Sequence, residues 1–235
     1  MRRWTLLACA CLLTLGLVPA STAQPAPRLV ALSFDDGPST QLTPVVLATL
    51  RAKHARALFC VQGSHAVELR DLVRREVAEG HDLCDHSWSH PHFPEVPRDA
   101  VRQTGEVLAT WRLLGYLGDR PELMRLPYGQ STTYADWWIT WAGMTRLRWD
   151  DRTVSADWGC PGPAEIVRRI MAGVRPGSII LLHDGNETVR CGAGQLAYLP
   201  VLVDRLRAAG YTLGRVVPSA TYSAVNQSYV QVVPF

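Results

Sequence analysis

The chain has 235 residues, 47% hydrophobic and 19% charged, with a formal net charge of +3 at pH 7. That apolar share excludes a disordered chain and suits one sizeable core. The small charge excludes the basic stripe of a nucleic-acid binder and any strong steering of an acidic ligand.

The first residues read as a leader. Met1 to Trp4 form a positive start, Leu6 to Val18 an apolar run, and Ser21 and Ala23 offer small residues before a cut. This is the pattern of a secretory signal over residues 1–23, which leaves 24–235 as a single domain. The run is shorter than the ~20 residues a spanning helix needs. No stable membrane span is therefore expected after cleavage, and the mature protein is expected to be a secreted or cell-envelope monomer. Loss of Arg2 and Arg3 would lower the formal charge to +1.

Strand-like and helix-like runs then alternate. Arg28–Phe34 is a buried strand pattern that ends at Asp35 and Asp36. Thr43–Lys53 reads as a helix with Pro44 in its first turn. Arg56–Gly63 reads as a second strand and Ala66–Gly80 as one helix with a glycine stop. A short third strand runs into His86, and Asp99–Gly115 is a helix. Glu122–Gly129 is a strand entering a turn, and Ala164–Val174 another helix. Gly177–Gly185 is a strongly apolar strand, followed by a closing helix from Ala197 and a last strand from Tyr211. Such alternation predicts parallel strands joined by crossover helices. Seven or so units suggest a barrel rather than an open sheet, which periodicity alone does not separate. In both architectures active groups gather at the carboxyl ends of the strands.

Four cysteines follow the leader: Cys60, Cys84, Cys160 and Cys191. No C-x-x-C pair is present, so a cysteine zinc site is not expected, and an exported chain can oxidise them. Of three connectivities, Cys160–Cys191 is favoured because each follows shortly after a motif. Cys60–Cys84 is the pairing that would remain.

Ionisable residues fall at four of the predicted strand ends. His86 and His90 are four apart, and on a helical turn they would share a face and reach one metal ion. Two unrelated surface histidines would show the same spacing. The adjacent aspartates change the balance: one carboxylate completes a two-histidine, one-carboxylate set, and the other is left beside the water such an ion would activate, where a general base is needed. Arg125 is either a surface arginine before a turn or a guanidinium forked onto a carboxylate. His183, closing the apolar strand, is either a satisfied core histidine or a general acid. Trp158 and Leu181 are core residues or the walls of a small apolar slot.

Taken in order from "LSFDDGPS" through "HSWSH", "RLPYG" and "SADW" to "LLHDG", these motifs resemble the polysaccharide deacetylases of the NodB-homology type, carbohydrate esterase family four. The resemblance spans nearly the whole mature chain and implies an α/β fold, a distorted (β/α) barrel of seven or eight parallel strands. It implies a divalent metal on Asp36, His86 and His90, with zinc first and cobalt, nickel or manganese as alternatives. It implies Asp35 as catalytic base held by Arg125, the Tyr128 backbone N–H as an oxyanion donor, His183 as acid tuned by Asp157, and Trp158 and Leu181 around the acetyl methyl. The expected activity is removal of N-acetyl groups from a cell-wall or extracellular N-acetylglucosamine polymer, chitin oligomers or peptidoglycan. O-acetyl hydrolysis on xylan is the alternative, and a catalytically impaired carbohydrate-binding protein a further one. A metallopeptidase is disfavoured because the histidine motif lacks the glutamate of H-E-x-x-H. The chain departs from the family pattern at Val154, where an aspartate is usual, and in a longer segment from Trp149 to Asp157 that contains Asp150 and Asp151.

Overall fold

A computed structural model describes residues 27–235. The expected leader, residues 1–23, lies outside them. The first strand, β1 (Arg28–Asp35), buries its last six residues without a break, as a parallel strand covered on both faces must. On one side it pairs with β2 (Leu58–Val61). On the other it meets two strands in succession. Arg28–Val30 pair with β7 (Tyr211–Ser223), and Ala31–Asp35 with β6 (Ile179–His183). From β2 the parallel order continues through β3 (Asp82–Asp85), β4 (Leu123–Met124) and β5 (Thr145–Arg146). Past β5, the Asp150 backbone N–H donates to the Ile179 carbonyl at 3.1 Å, so this rim meets β6 and nearly closes the cylinder. The architecture is thus the distorted parallel barrel that the sequence predicts.

Alternation along the strands sorts the core into two layers. Ala31, Leu58, Cys60, Cys84, Leu123 and Ile179 form an inner cluster. Val30, Leu32, Phe34, Phe59 and Leu182 face outward onto the helices. The outer helices are α1 (Thr43–Ala52), α2 (Gly63–Glu68), α3 (Arg70–Ala78), α4 (Ala100–Leu117), α5 (Thr133–Trp141), α6 (Pro163–Gly173) and α7 (Tyr198–Ala208). Side-chain caps start two of them: Asp99 accepts from the Arg102 N–H, and Thr132 from the Ala135 N–H. Both disulfides form, Cys60–Cys84 between facing residues of β2 and β3 and Cys160–Cys191 between two loops.

Two expectations need correction. Ala66–Gly80 is not one helix. The chain breaks at Leu69 (φ −113°, ψ 40°), which separates α2 from α3. The N–H groups of Gly63 and Ser64 donate to the carbonyls of Ser87 and Trp88, so α2 is tied to the histidine loop and cannot share the axis of α3. The last strand is also longer than expected and folds back. β8 (Ser228–Pro234) pairs antiparallel with β7, and Val216 and Val230 join the inner cluster, flooring the barrel.

Candidate active site

Adjacent strand residues point to opposite faces, so Asp35 and Asp36 should diverge. They do not, because Asp36 leaves the strand with φ 74°. This left-handed turn brings its carboxylate back to the mouth of the barrel beside Asp35. Two glycines make room for the turn. A Cβ on Gly37 would strike the Asp184 carboxylate, and one on Gly185 would strike the Asp36 carbonyl oxygen. Asp184 is buried and bonded by the Thr43 hydroxyl at 2.5 Å. Burial pushes its pKa up to about 7, helped by Asp36 and Asp35, while the Thr43 hydrogen bond opposes the rise.

His86 and His90 do converge, but not on a helical turn as expected. Ser87 (φ 66°) and His90 (φ 59°) are both left-handed. The loop is held by neighbours instead: Asp85 accepts the Ser87 N–H at 2.8 Å, and the Ser87 hydroxyl accepts the His90 N–H at 3.1 Å. Glu106 on α4 takes the N–H and hydroxyl of Ser89 at 2.8 and 2.6 Å. Both imidazole Nε2 atoms lie 3.2 Å from Asp36 Oδ1. A tetrahedral ion with bonds of ~2.0–2.1 Å would set its ligands ~3.3 Å apart. Asp36 Oδ1 is buried and has no hydrogen-bond partner, which an ion would satisfy. His86 Nδ1 lies 2.6 Å from the Arg125 carbonyl. That contact holds a proton on Nδ1 and leaves the Nε2 lone pair for a ligand bond. Burial pushes the His86 pKa down, but Asp35 and Asp36 outweigh it and raise the value. Burial pushes Asp36 up, and the two imidazoles hold it well below the usual carboxylate range. The field that favours positive charge here is the one a bound cation would occupy.

Arg125 is fully buried, and its NH1 donates to Asp35 Oδ1 at 2.5 Å and to Ser33 Oγ at 3.0 Å. Ser33 in turn donates to the Ile180 carbonyl at 2.9 Å. Asp35 Oδ2 faces His86 Nε2 at 3.8 Å, so one oxygen is fixed and the other borders the triad.

Across the cleft, His183 Nδ1 lies 2.7 Å from Asp157 Oδ1, and the His183 backbone N–H donates to Oδ2 at 2.8 Å. Burial would lower the pKa of His183, but Asp157, with Asp36 and Asp35 behind it, raises it to about 9. Ser155 supports Asp157 by a 3.1 Å hydrogen bond, and Gln195 grips its carbonyl at 2.6 Å. Asp150, inside the longer segment, does not reach this pair. It binds Arg175 and Ser178 instead. The ring of Trp158 stands edge-on to His183 with centroids 5.2 Å apart. Trp158, Leu181 and Tyr128 (φ 58°) line one cleft of about 820 Å3 with the triad, Asp35 and His183. Every site residue expected from sequence is therefore brought to this cleft or directly behind it.

Residues that sequence reasoning missed are mostly supports: Ser33, Ser155 and Glu106, whose types carry no signal of their own. Trp149 also lines the cleft, and its ring packs over Gly129.

The family profile described as polysaccharide deacetylase matches residues 22–147. A chitooligosaccharide deacetylase of a Bradyrhizobium strain is 38% identical over 67% of this chain and 71% of its own length. A peptidoglycan-N-acetylglucosamine deacetylase of Listeria monocytogenes is 32% identical over 78% of this chain, which spans only 37% of that protein. Among solved structures, a family 4 carbohydrate esterase from Streptomyces lividans, in complex with acetate, superposes with a TM-score of 0.73 at 29% identity, covering 88% of this chain and 98% of that one.

Proposed function

The chain belongs to the polysaccharide deacetylase family, and on that premise we propose that it hydrolyses N-acetyl groups on an N-acetylglucosamine polymer outside the cell, releasing acetate. The observation that carries this reading is the opposition, across one cleft, of a carboxylate and an imidazole that are each held by a buried partner. Asp35 is pinned by a buried guanidinium, and His183 is held as imidazolium by Asp157. Titratable groups whose environments are set apart in this way mark a base and an acid.

A divalent cation on Asp36, His86 and His90, zinc first by ligand type with cobalt, nickel or manganese as substitutes, would polarise the acetamide carbonyl and make the attacking water more acidic. Asp35 takes the proton of that water, with Arg125 fixing which oxygen is free. The Tyr128 backbone N–H donates to the oxyanion that forms, a contribution of about 3–4 kcal/mol per donor where measured. His183 gives its proton to the departing amine, and Asp157 balances the charge of the ring. Trp158 and Leu181 close around the acetyl methyl. The secreted, monomeric state expected from the sequence suits such a substrate. Among the described residues no helix is long and apolar enough to cross a membrane.

The test is acetate release from chitin oligomers, peptidoglycan and acetylxylan, after chelation and again after divalent metal is restored. The expected result is loss on chelation, recovery with zinc or cobalt, and faster turnover of amides than of the xylan ester. Release that survives exhaustive chelation would overturn the metal assignment. Turnover of the ester alone would overturn the amide assignment.

A further inference from the structure

An amphipathic helix normally presents one apolar stripe to the core; α5 carries two. Ala135 and Ile139 face inward onto Phe93, Leu108 and Met144. The second stripe is Tyr134, Trp137, Trp138 and Trp141, spaced i, i+3, i+4 and i+7. It points outward: Trp137 is 54% and Trp141 58% exposed. Trp138 is the half-buried floor between them, with ring centroids 4.5 Å from Trp137 and 5.6 Å from Trp141. The fold's own packing uses the first stripe and the inner side of Trp138, and leaves Trp137 and Trp141 exposed, outside the core. Two exposed tryptophans bridged by a third form one contiguous apolar patch, and such patches mark interaction surfaces.

The position and chemistry of the stripe select its occupant. All four members are Tyr or Trp, whose flat faces suit the C–H face of a sugar ring and whose polar edges suit its hydroxyls. A depression of about 580 Å3 at the stripe adds the hydroxyls of Thr132 and Thr133 and the guanidinium of Arg98. The loop between the cleft and α5 carries a row of exposed groups that leads from one towards the other. Ring centroids run from His90 to Tyr128 at 4.9 Å and from Tyr128 to His92 at 5.7 Å. His92 then meets Gln130 at 2.6 Å, two residues before the Thr132 cap of α5. This row offers a glycan leaving the cleft ring faces and hydrogen-bonding groups on the way to the stripe.

We propose that the outer stripe of α5 is a glycan-binding platform that holds the polymer several sugar units away from the acetyl group being removed. This rests on the reading of the cleft as a glycan hydrolase site and adds to it a preference for long chains.

The test compares the native protein with a Trp137→Ala, Trp141→Ala double variant on soluble glycol chitin and on the N-acetylglucosamine trimer. The KM for the polymer should rise about tenfold, equivalent to ~1.4 kcal/mol and to the scale of an aromatic contact. Its kcat, and both constants for the trimer, should stay unchanged. Equal losses on polymer and trimer, or no loss on either, would overturn the proposal. A second readout needs no turnover: retardation of Asp35→Asn protein in gels containing glycol chitin. Retardation should be lost when the double substitution is added and restored by Trp137→Phe, Trp141→Phe. If the native protein releases no acetate from any glycan, the hydrolase reading fails, while the gel still decides the platform. A double variant that keeps its retardation but turns a dimer into a monomer, or no longer binds phosphatidylcholine vesicles, would overturn the glycan assignment.

Discussion

Replacing Asp157 by Asn tests the acid side of the cleft. The substitution preserves shape and removes one negative charge that sits 2.7 Å from His183 Nδ1. A hydrogen bond to a charged group contributes about 1.5–3 kcal/mol, and one pKa unit is about 1.4 kcal/mol. The imidazolium, held at about 9 in the native chain, should therefore titrate roughly 1–2 units lower in the variant. The assay is the pH dependence of kcat for acetate release from an N-acetylglucosamine oligomer. The alkaline limb should move down by that amount, and turnover at neutral pH should fall, because less of the acid carries its proton. An O-acetyl substrate should suffer less, since an alkoxide leaves with less help than an amine. Stability follows with a defined sign. The folded pKa of His183 lies above its ordinary value of 6.5, so the pair's stabilisation is fully present below about pH 6.5 and is lost as pH rises through about 9. The variant's melting deficit should shrink across that window. An alkaline limb that stays in place would refute both the tuning by Asp157 and the assignment of His183 as the acid.

Other substitutions separate the remaining roles. Asp35→Asn should keep its cation by elemental analysis yet lose about 10²–10⁴-fold in turnover; a variant that remains active would remove Asp35 as the base. His86→Ala should lose the cation, and unchanged metal content would exclude it from the ligand set. Arg125→Met leaves the Asp35 carboxylate buried without its partner and should cost about 3–5 kcal/mol in unfolding free energy, read from the denaturant midpoint. Cys160→Ser opens a bridge between residues 31 apart and should cost about 3–4 kcal/mol by loop entropy. It should also slow turnover, because Cys191 sits against the carbonyls of Asp157 and Trp158.

The order of strands and helices was legible because parallel strands buried on both faces leave unbroken apolar runs, as in Leu29–Leu32 and Ile179–Leu182. The site was legible because its groups end those runs. What sequence misread was how they converge. The spacing of His86 and His90 suggested a helical turn, whereas the observed geometry depends on Asp85, Ser87 and a carboxylate from α4 twenty residues away in sequence from His86. Nothing local announces such a contact. The Leu69 break was hidden for the same reason: its apolar spacing fits one helix, and only the docking of Gly63 and Ser64 divides it. Val154, where the family has an aspartate, leaves the His183–Asp157 pair intact, because Ser155 and Gln195 hold Asp157 in place. The β8 strand went unread because Ser228–Pro234 buries a serine and exposes a tyrosine, so its polarity does not alternate with its burial, and its partner lies across a reversal that periodicity does not report.

The strand that ends at Asp35 is the first of the barrel strands to be made and gains its last neighbours late. Ser33 waits for Leu181 and Arg28 for Tyr211 before β1 has both neighbours. A nascent chain that stops short of residue 179 presents β1 as a bare sheet edge, open to wrong pairing with other chains. Contacts of such long range slow folding and lengthen the exposure to aggregation. Production of this protein should therefore depend on keeping incomplete chains apart until the final quarter has emerged, and amino-terminal fragments should collect as aggregates, not as weakly active enzyme.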